Sequence, residues 1–303
     1  MLLRKHAPDK AEALLEPEIP SDLPYTLVAR KQIVQAHALC NRKKVTESTH
    51  LLDHAAKQIP DTDRATRAQL ELVRGYCAFP TDHLLARQHF ESSAVAAHGV
   101  DEYIESRALG ALGFTLMQDR HFDEAIEKLS AASLITDSPW LLEGLLGDLG
   151  ECYQELGDWK TAISYSQQAE ALASRVKDAI QDRVRWLIDL GREHYSQVEN
   201  AEAEKSWSSA LALAAGFANA DLKARCLINL SMLAIKRGDK SAADEYIKQV
   251  EALKLQGGQQ LYLLLYKGRL AKLQDDRSDA ETLLGQILAE SPNSQVKYEA
   301  ETD

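Results

Sequence analysis

The sequence predicts an all-α solenoid of about seven helix–turn–helix repeats, with partial repeats at both ends. Three observations lead there. A pattern of small residues recurs at a near-constant step along the chain. No stretch shows a convincing strand pattern. Glycine (15) and proline (8) are few in 303 residues, which suits long helices joined by short turns.

The clearest copy is Leu149–Ala169, LGECYQELGDWKTAISYSQQA, with Gly150, Ala162 and Ala169 as its small residues. In chain order, the first unit carries Ser48, Leu52 and Ala55, and the second Ala86, Phe90 and Ser93. The third carries Gly113, Ala125 and Ala132, and the fourth is the stretch just quoted. The fifth has Gly191, Ala203, Trp207 and Ala210, and the sixth Ser231, Ala243, Ile247 and Val250. The seventh has Gly268, Ala280, Leu284 and Ile287. From Ser48 through Ala86, Ala125, Ala162, Ala203 and Ala243 to Ala280 the steps are 38, 39, 37, 41, 40 and 37 residues. Such a period marks a solenoid, in which each unit buries its apolar face only by stacking on neighbours.

Each position has a physical reason. Gly or Ser late in the first helix, and Ala within the second, let two helices approach closely. The large residue between the small ones (Leu129, Trp207, Ile247, Leu284) is expected to fill the gap toward the next hairpin. Gly157-Asp158 and Gly238-Asp239 pair a helix-ending Gly with an N-cap Asp. Ser138-Pro139 and Ser291-Pro292 put an N-cap Ser before a Pro at the first helical position. Residues 1–22 read as a partial N-terminal repeat, 23–290 as seven repeats, and 291–303 as the first helix of an incomplete eighth repeat or cap. The chain is therefore expected to be part of a longer protein.

The pattern resembles the tetratricopeptide repeat. Leu149-Gly150, Tyr153, Ala162, Ala169, Pro60 and Pro292 match that family's consensus positions. The period exceeds the family's usual length of about 34 residues, and the excess lies in longer helices, as in LASRVKDAIQDRVRW. Such long repeats are similar to those of bacterial peptide-sensing regulators and of proteins carrying a caspase-like (CHAT) peptidase domain. The resemblance implies a right-handed superhelix whose concave groove, lined by first helices, binds a peptide or partner domain. On that reading the chain is a protein–protein interaction scaffold, regulating or recruiting for a longer protein. The alternatives are a peptide-sensing regulator subunit and an enzyme with an unrecognised site.

Charge narrows the partners. The net charge is −11 and the pI about 5.4, which argues against nucleic acid or an anionic membrane as the main partner. The N-terminus has no signal-peptide stretch, and the longest apolar run, LYLLLY at 261–266, is too short to span a bilayer. A cytoplasmic location is expected. Cys40, Cys77, Cys152 and Cys226 lie far apart, each in the first helix of a different hairpin, and read as free thiols in packing positions.

Counting from the family pattern gives the groove. The resemblance turns Arg185, Asp189, Arg192 and Tyr195 inward in the fifth unit. It does the same for Arg225, Asn229, Met232 and Lys236 in the sixth, and for Tyr262, Tyr266, Arg269 and Lys272 in the seventh. In the third unit Arg107, Phe114, Met117 and Gln118 face inward; the fourth turns three acids inward. Units five to seven thus set six cations against one acid, Asp189, with Arg192 and Arg225 expected to be exposed. That chemistry suits an acidic or C-terminal peptide segment, with the tyrosines covering its apolar parts. The bland alternative is a solvated face with pairs such as Arg185–Asp189.

No chemistry-bearing motif stands out. His50 and His54 are four apart, but Leu51 stands where a zincin needs Glu. His83, His89 and His98 are scattered. Gly144, Gly147 and Gly150 read as packing glycines, not a dinucleotide loop. The expectation is no catalytic residue, no cofactor and no metal.

Overall fold

The computed structural model describes residues 24–176, 179–253, 255, 258–290, 296, 299 and 300. The proposed partial repeat at 1–22 and most of segment 291–303, including Ser291-Pro292, lie outside them. Among the described residues there are fourteen α-helices and no strand. None is long and apolar enough to cross a membrane.

The chain divides at Asp158 into two units. Unit 1 holds α1 (Tyr25–Asn41), α2 (Val45–Ala56), α3 (Arg64–Ala78), α4 (His83–Ala97), α5 (Glu102–Gln118), α6 (Phe122–Ile135) and α7 (Pro139–Glu155). Unit 2 holds α8 (Trp159–Ala173), α9 (Ile180–Ser196), α10 (Asn200–Ala214), α11 (Ala220–Lys236), α12 (Lys240–Ala252), α13 (Gly258–Leu273) and α14 (Arg277–Glu290). Within each unit, every helix packs on the next. The odd-numbered first helices also pack on one another: α1 on α3, α3 on α5 and α5 on α7, then α9 on α11 and α11 on α13. Among the described residues no two second helices meet in this way. First helices thus form an inner layer and second helices an outer one, the arrangement of a tetratricopeptide-type solenoid.

The recurring small residues sit at the helix crossings. Ala86, Ala125, Ala162, Ala203 and Ala243 are completely buried, as are Ala132, Ala169 and Ala210. The large residue between them packs toward the next hairpin, as the sequence suggested: Trp207 clusters with Leu230 and Leu233 of α11, and Ile247 with Leu263 and Tyr266 of α13. It also lies on the small residue of its own first helix. A Cβ added at Gly113 would come within 2.7 Å of Leu129, and one at Gly268 within 2.9 Å of Leu284. The same clash joins Gly191 to Trp207 and Gly75 to Phe90. The reason is reach: the missing side chain on the first helix opens a slot on the near side, which the second helix fills. Gly144 departs from the packing role expected of it, since a Cβ there would meet nothing within 4 Å.

Six of the hairpin turns share one form; the turn between α3 and α4 does not. The second residue after the first helix takes positive φ at Lys43, Arg120, Gly157, Val198, Gly238 and Asp275. At Gly157, its N–H bonds the Gln154 carbonyl and the next N–H bonds that of Tyr153; at Val198 the acceptors are Tyr195 and His194. This double bond pattern closes the helix end. Asp239 then caps α12 by accepting from the Ala242 N–H. Ser138 stands at the N-cap of α7 before Pro139, but its side chain makes no cap bond.

Candidate functional site

The eleven candidate groove residues of the fifth to seventh repeats all lie in unit 2, on the inner-layer helices α9, α11 and α13. A cleft of about 750 Å³ opens where the C-terminal ends of these helices meet. Its floor is apolar, made by Met232 and Ile235 of α11 and Leu273 of α13. Tyr195 and Tyr266 stand at the sides, and Lys236, Arg269 and Lys272 supply positive charge. Lys236 and Lys272 occupy last turns of helices, where cations complement the helix dipole.

The rings hold the cations in place. The Lys236 ammonium lies 4.2 Å from the Tyr195 ring centre, and the Arg269 guanidinium 5.1 Å from that of Tyr266. Tyr266 is 6% exposed, and burial holds its phenol above the ordinary range. Glu299 reaches the same cleft and pairs with Arg269 at 3.1 Å. Val296 and Ala300 on the same segment are buried against Leu265 and Ile287, which fixes Glu299 at the rim.

Of the eleven candidate residues, the structure brings Tyr195, Lys236, Tyr266, Arg269 and Lys272 into the cleft. The other six do not line it. Arg185 covers the Trp186 ring and pairs with Asp182 at 3.8 Å, not with Asp189. Asp189 takes Arg192 at 2.6 Å and Arg225 at 3.6 Å. Arg192 and Arg225 are therefore not the free surface expected of them. Their side chains are 42% and 29% exposed and turned onto a common carboxylate. Asn229 is half-buried on α11, and Tyr262 packs against the apolar cluster around Leu265.

The balance of six cations against one acid also changes. Asp182 and Glu299 add two partners, because Asp182 shares a helix face with Arg185 and Glu299 arrives from a later segment. Sequence reasoning missed Ile235, Leu273 and Glu299. The first two directly follow or precede a groove position, so the inner face is wider than the family pattern counts. Nothing near Glu299 signalled its role.

Elsewhere, each histidine noted in the second hairpin meets a carboxylate: His83 with Asp119, His89 with Glu71 and His98 with Glu105. His54 bonds Gln32 and Gln58. Among the described residues no group of three His, Cys, Asp or Glu is placed to hold a metal.

No protein-family model matches the chain, and no curated protein matches it in sequence. Solved structures match its fold. The apo form of RapI aligns with a TM-score of 0.73 at 10% identity, covering 90% of this chain and 80% of RapI. A Rap protein complexed with Competence and Sporulation Factor gives 0.63 at 14%, covering 99% of this chain and 86% of the other. A Signal Transduction ATPase with Numerous Domains from Pyrococcus horikoshii, which has a tetratricopeptide repeat sensor, gives 0.72 at 15%. That match covers 88% of this chain and 44% of the other. At these identities the likeness is one of fold.

Proposed function

We propose that this chain is a non-enzymatic interaction scaffold, and that the unit 2 cleft binds a peptide segment bearing a carboxylate. One observation carries the reading: three cations from two inner-layer helices ring an apolar floor between two tyrosines. A carboxylate would meet Lys236 and Lys272, and a neighbouring apolar side chain would lie on Met232, Ile235 and Leu273. Charge-assisted bonds give orientation, and the floor gives affinity. Glu299, already on Arg269, occupies one such carboxylate position with the chain's own side chain. The fold likeness supports the reading, since a Rap protein of this fold is held in complex with Competence and Sporulation Factor. That complex also favours a sensing regulator as the form the scaffold takes. The cytoplasm, where free thiols persist, is the location that fits.

The test is a fluorescence-anisotropy screen of acidic, neutral and basic peptides against the chain and its Lys236→Glu/Lys272→Glu variant. Acidic peptides should bind, weaken as salt rises from 50 to 300 mM, and be lost in the variant. Preference for basic peptides, or binding that ignores both reversals, would refute the assignment.

A further inference from the structure

We propose a second binding site in unit 1, where Arg107 takes the carboxylate of an acidic side chain on a protein partner, between Tyr76 and Tyr103. It is independent of the unit 2 cleft. Three successive inner-layer helices build it. His37 of α1 stacks on Tyr76 of α3, with ring centres 5.3 Å apart and planes 8° from parallel. The Arg107 guanidinium of α5 lies 5.4 Å from the Tyr76 ring centre and 5.7 Å from that of Tyr103. Its Nη2 donates to the Tyr76 hydroxyl at 3.2 Å. All four residues are half-buried, so the row remains open to solvent.

Arg107 has no counter-charge. In the same unit Arg67, Arg74, Arg87 and Arg120 each lie within 4.0 Å of a carboxylate. Arg30 and Arg64 also lack one among the described residues, but they donate to the Thr66 hydroxyl and to the Val95 and His98 carbonyls, whereas Arg107 is held by aromatic rings and a phenol. Among the described residues no carboxylate pairs with Arg107. This is notable in a chain with 46 acidic and 35 basic side chains. A guanidinium has five N–H donors, and the phenols satisfy only part of them. None of its nitrogens is both buried and unpartnered, so the remaining donors face water. The rings already fix its position, so a ligand need not immobilise it on binding.

The charge of the site selects the ligand. One guanidinium is present and the imidazole beside it is held neutral, because burial and Arg107 both lower the His37 pKa, to about 4. A single positive charge between phenols suits a monoanionic carboxylate better than a phosphate dianion. The partly exposed rings of His37, Tyr76 and Tyr103 offer more apolar contact than a small free anion could use. That points to an acidic residue with an apolar or aromatic neighbour, presented by a protein.

The experiment uses the peptide acetyl-Ala-Glu-Phe-Glu-Ala-amide, its Gln-for-Glu counterpart and inorganic phosphate as probes. The ring protons of His37 report on this site alone, since the unit 2 cleft contains no histidine. They are assigned with His37→Phe. The acidic peptide should shift them, and the Gln peptide should bind at least tenfold more weakly. Arg107→Gln should abolish the shift, while Lys236→Glu/Lys272→Glu should leave it intact. If Arg107→Gln fails to fold, Arg107→Lys keeps the charge without the planar fork, and at least a tenfold loss is expected. No shift with the acidic peptide, equal shifts with both peptides, a shift insensitive to either Arg107 variant, or saturation by phosphate at lower concentration would overturn the proposal.

Discussion

Trp207 lies directly on the backbone of Gly191: a Cβ at residue 191 would come within 2.2 Å of the indole nitrogen. The indole N–H donates to the Ile188 carbonyl at 3.0 Å, so the ring cannot slide away. Gly191→Ala should therefore destabilise unit 2 by about 1–3 kcal/mol through overpacking. Gly144→Ala is the control, since its added methyl meets nothing. Relief of glycine's conformational freedom there should stabilise α7 by roughly 0.5–1 kcal/mol. Denaturant melts of the two variants should move in opposite directions.

This pair shows how much was legible. The repeat was readable because helix crossings demand small residues, and Ala162, Ala203 and Gly191 obey that demand in sequence as in space. The packing of Trp207 toward the next hairpin was legible too. Its second contact, on Gly191 of its own hairpin, was not, since spacing places Trp207 on a helix face without showing every slot it fills. For the cleft, helical register located Lys236, Arg269 and Lys272. The Arg192–Asp189 pair is an i,i+3 contact within α9 that spacing alone could have signalled. Register could not foresee that Asp189 would also draw in Arg225 from α11, because ion pairing between helices depends on side-chain reach. Glu299 lies far along the chain from most of its cleft neighbours, and no local pattern marks such a contact.

The joint at Val198 carries strain that sequence reading passed over. It has φ of 64° and is 70% exposed, at the position where other hairpins place Gly157 and Gly238. A β-branched residue in the left-handed region costs about 1–2 kcal/mol. Val198→Gly should raise stability by roughly 1 kcal/mol with the turn bonds to His194 and Tyr195 unchanged. Thermal melts would check this, and an unchanged or lower midpoint would contradict it.

Acid should weaken unit 1 through His37. Its pKa is about 4 in the folded chain against 6.5 unperturbed, lowered first by burial and then by Arg107. Folding therefore favours the neutral ring. That contribution is complete above pH 6.5 and is lost as pH falls toward 4, amounting to at most about 3 kcal/mol. His37→Phe keeps the stack on Tyr76 and removes the titration. The stability gap between variant and parent should shift in the variant's favour from pH 7 to pH 4.5.

Glu193 should act in the opposite sense in unit 2. Where other repeats place a large residue on the second helix, the fourth has Ser166, and its hydroxyl donates to Glu193 Oε1 at 2.7 Å. The carboxyl is completely buried, and Oε2 has no partner. Burial, with a smaller push from Asp189, raises its pKa from 4.5 to about 7, while Ser166 and Arg192 partly oppose this. Folding thus favours the protonated acid. Below pH 4.5 both folded and unfolded chains carry the proton, and the group imposes no cost. As pH rises from 4.5 through 7 the unfolded chain ionises first, and stability falls by at most about 3 kcal/mol. Glu193→Gln is a neutral isostere that escapes this loss. It should melt above the parent at pH 8, and the difference should shrink toward zero at pH 5. A difference that stays constant across that range would mean that Glu193 remains ionised in the folded chain, held by Arg192.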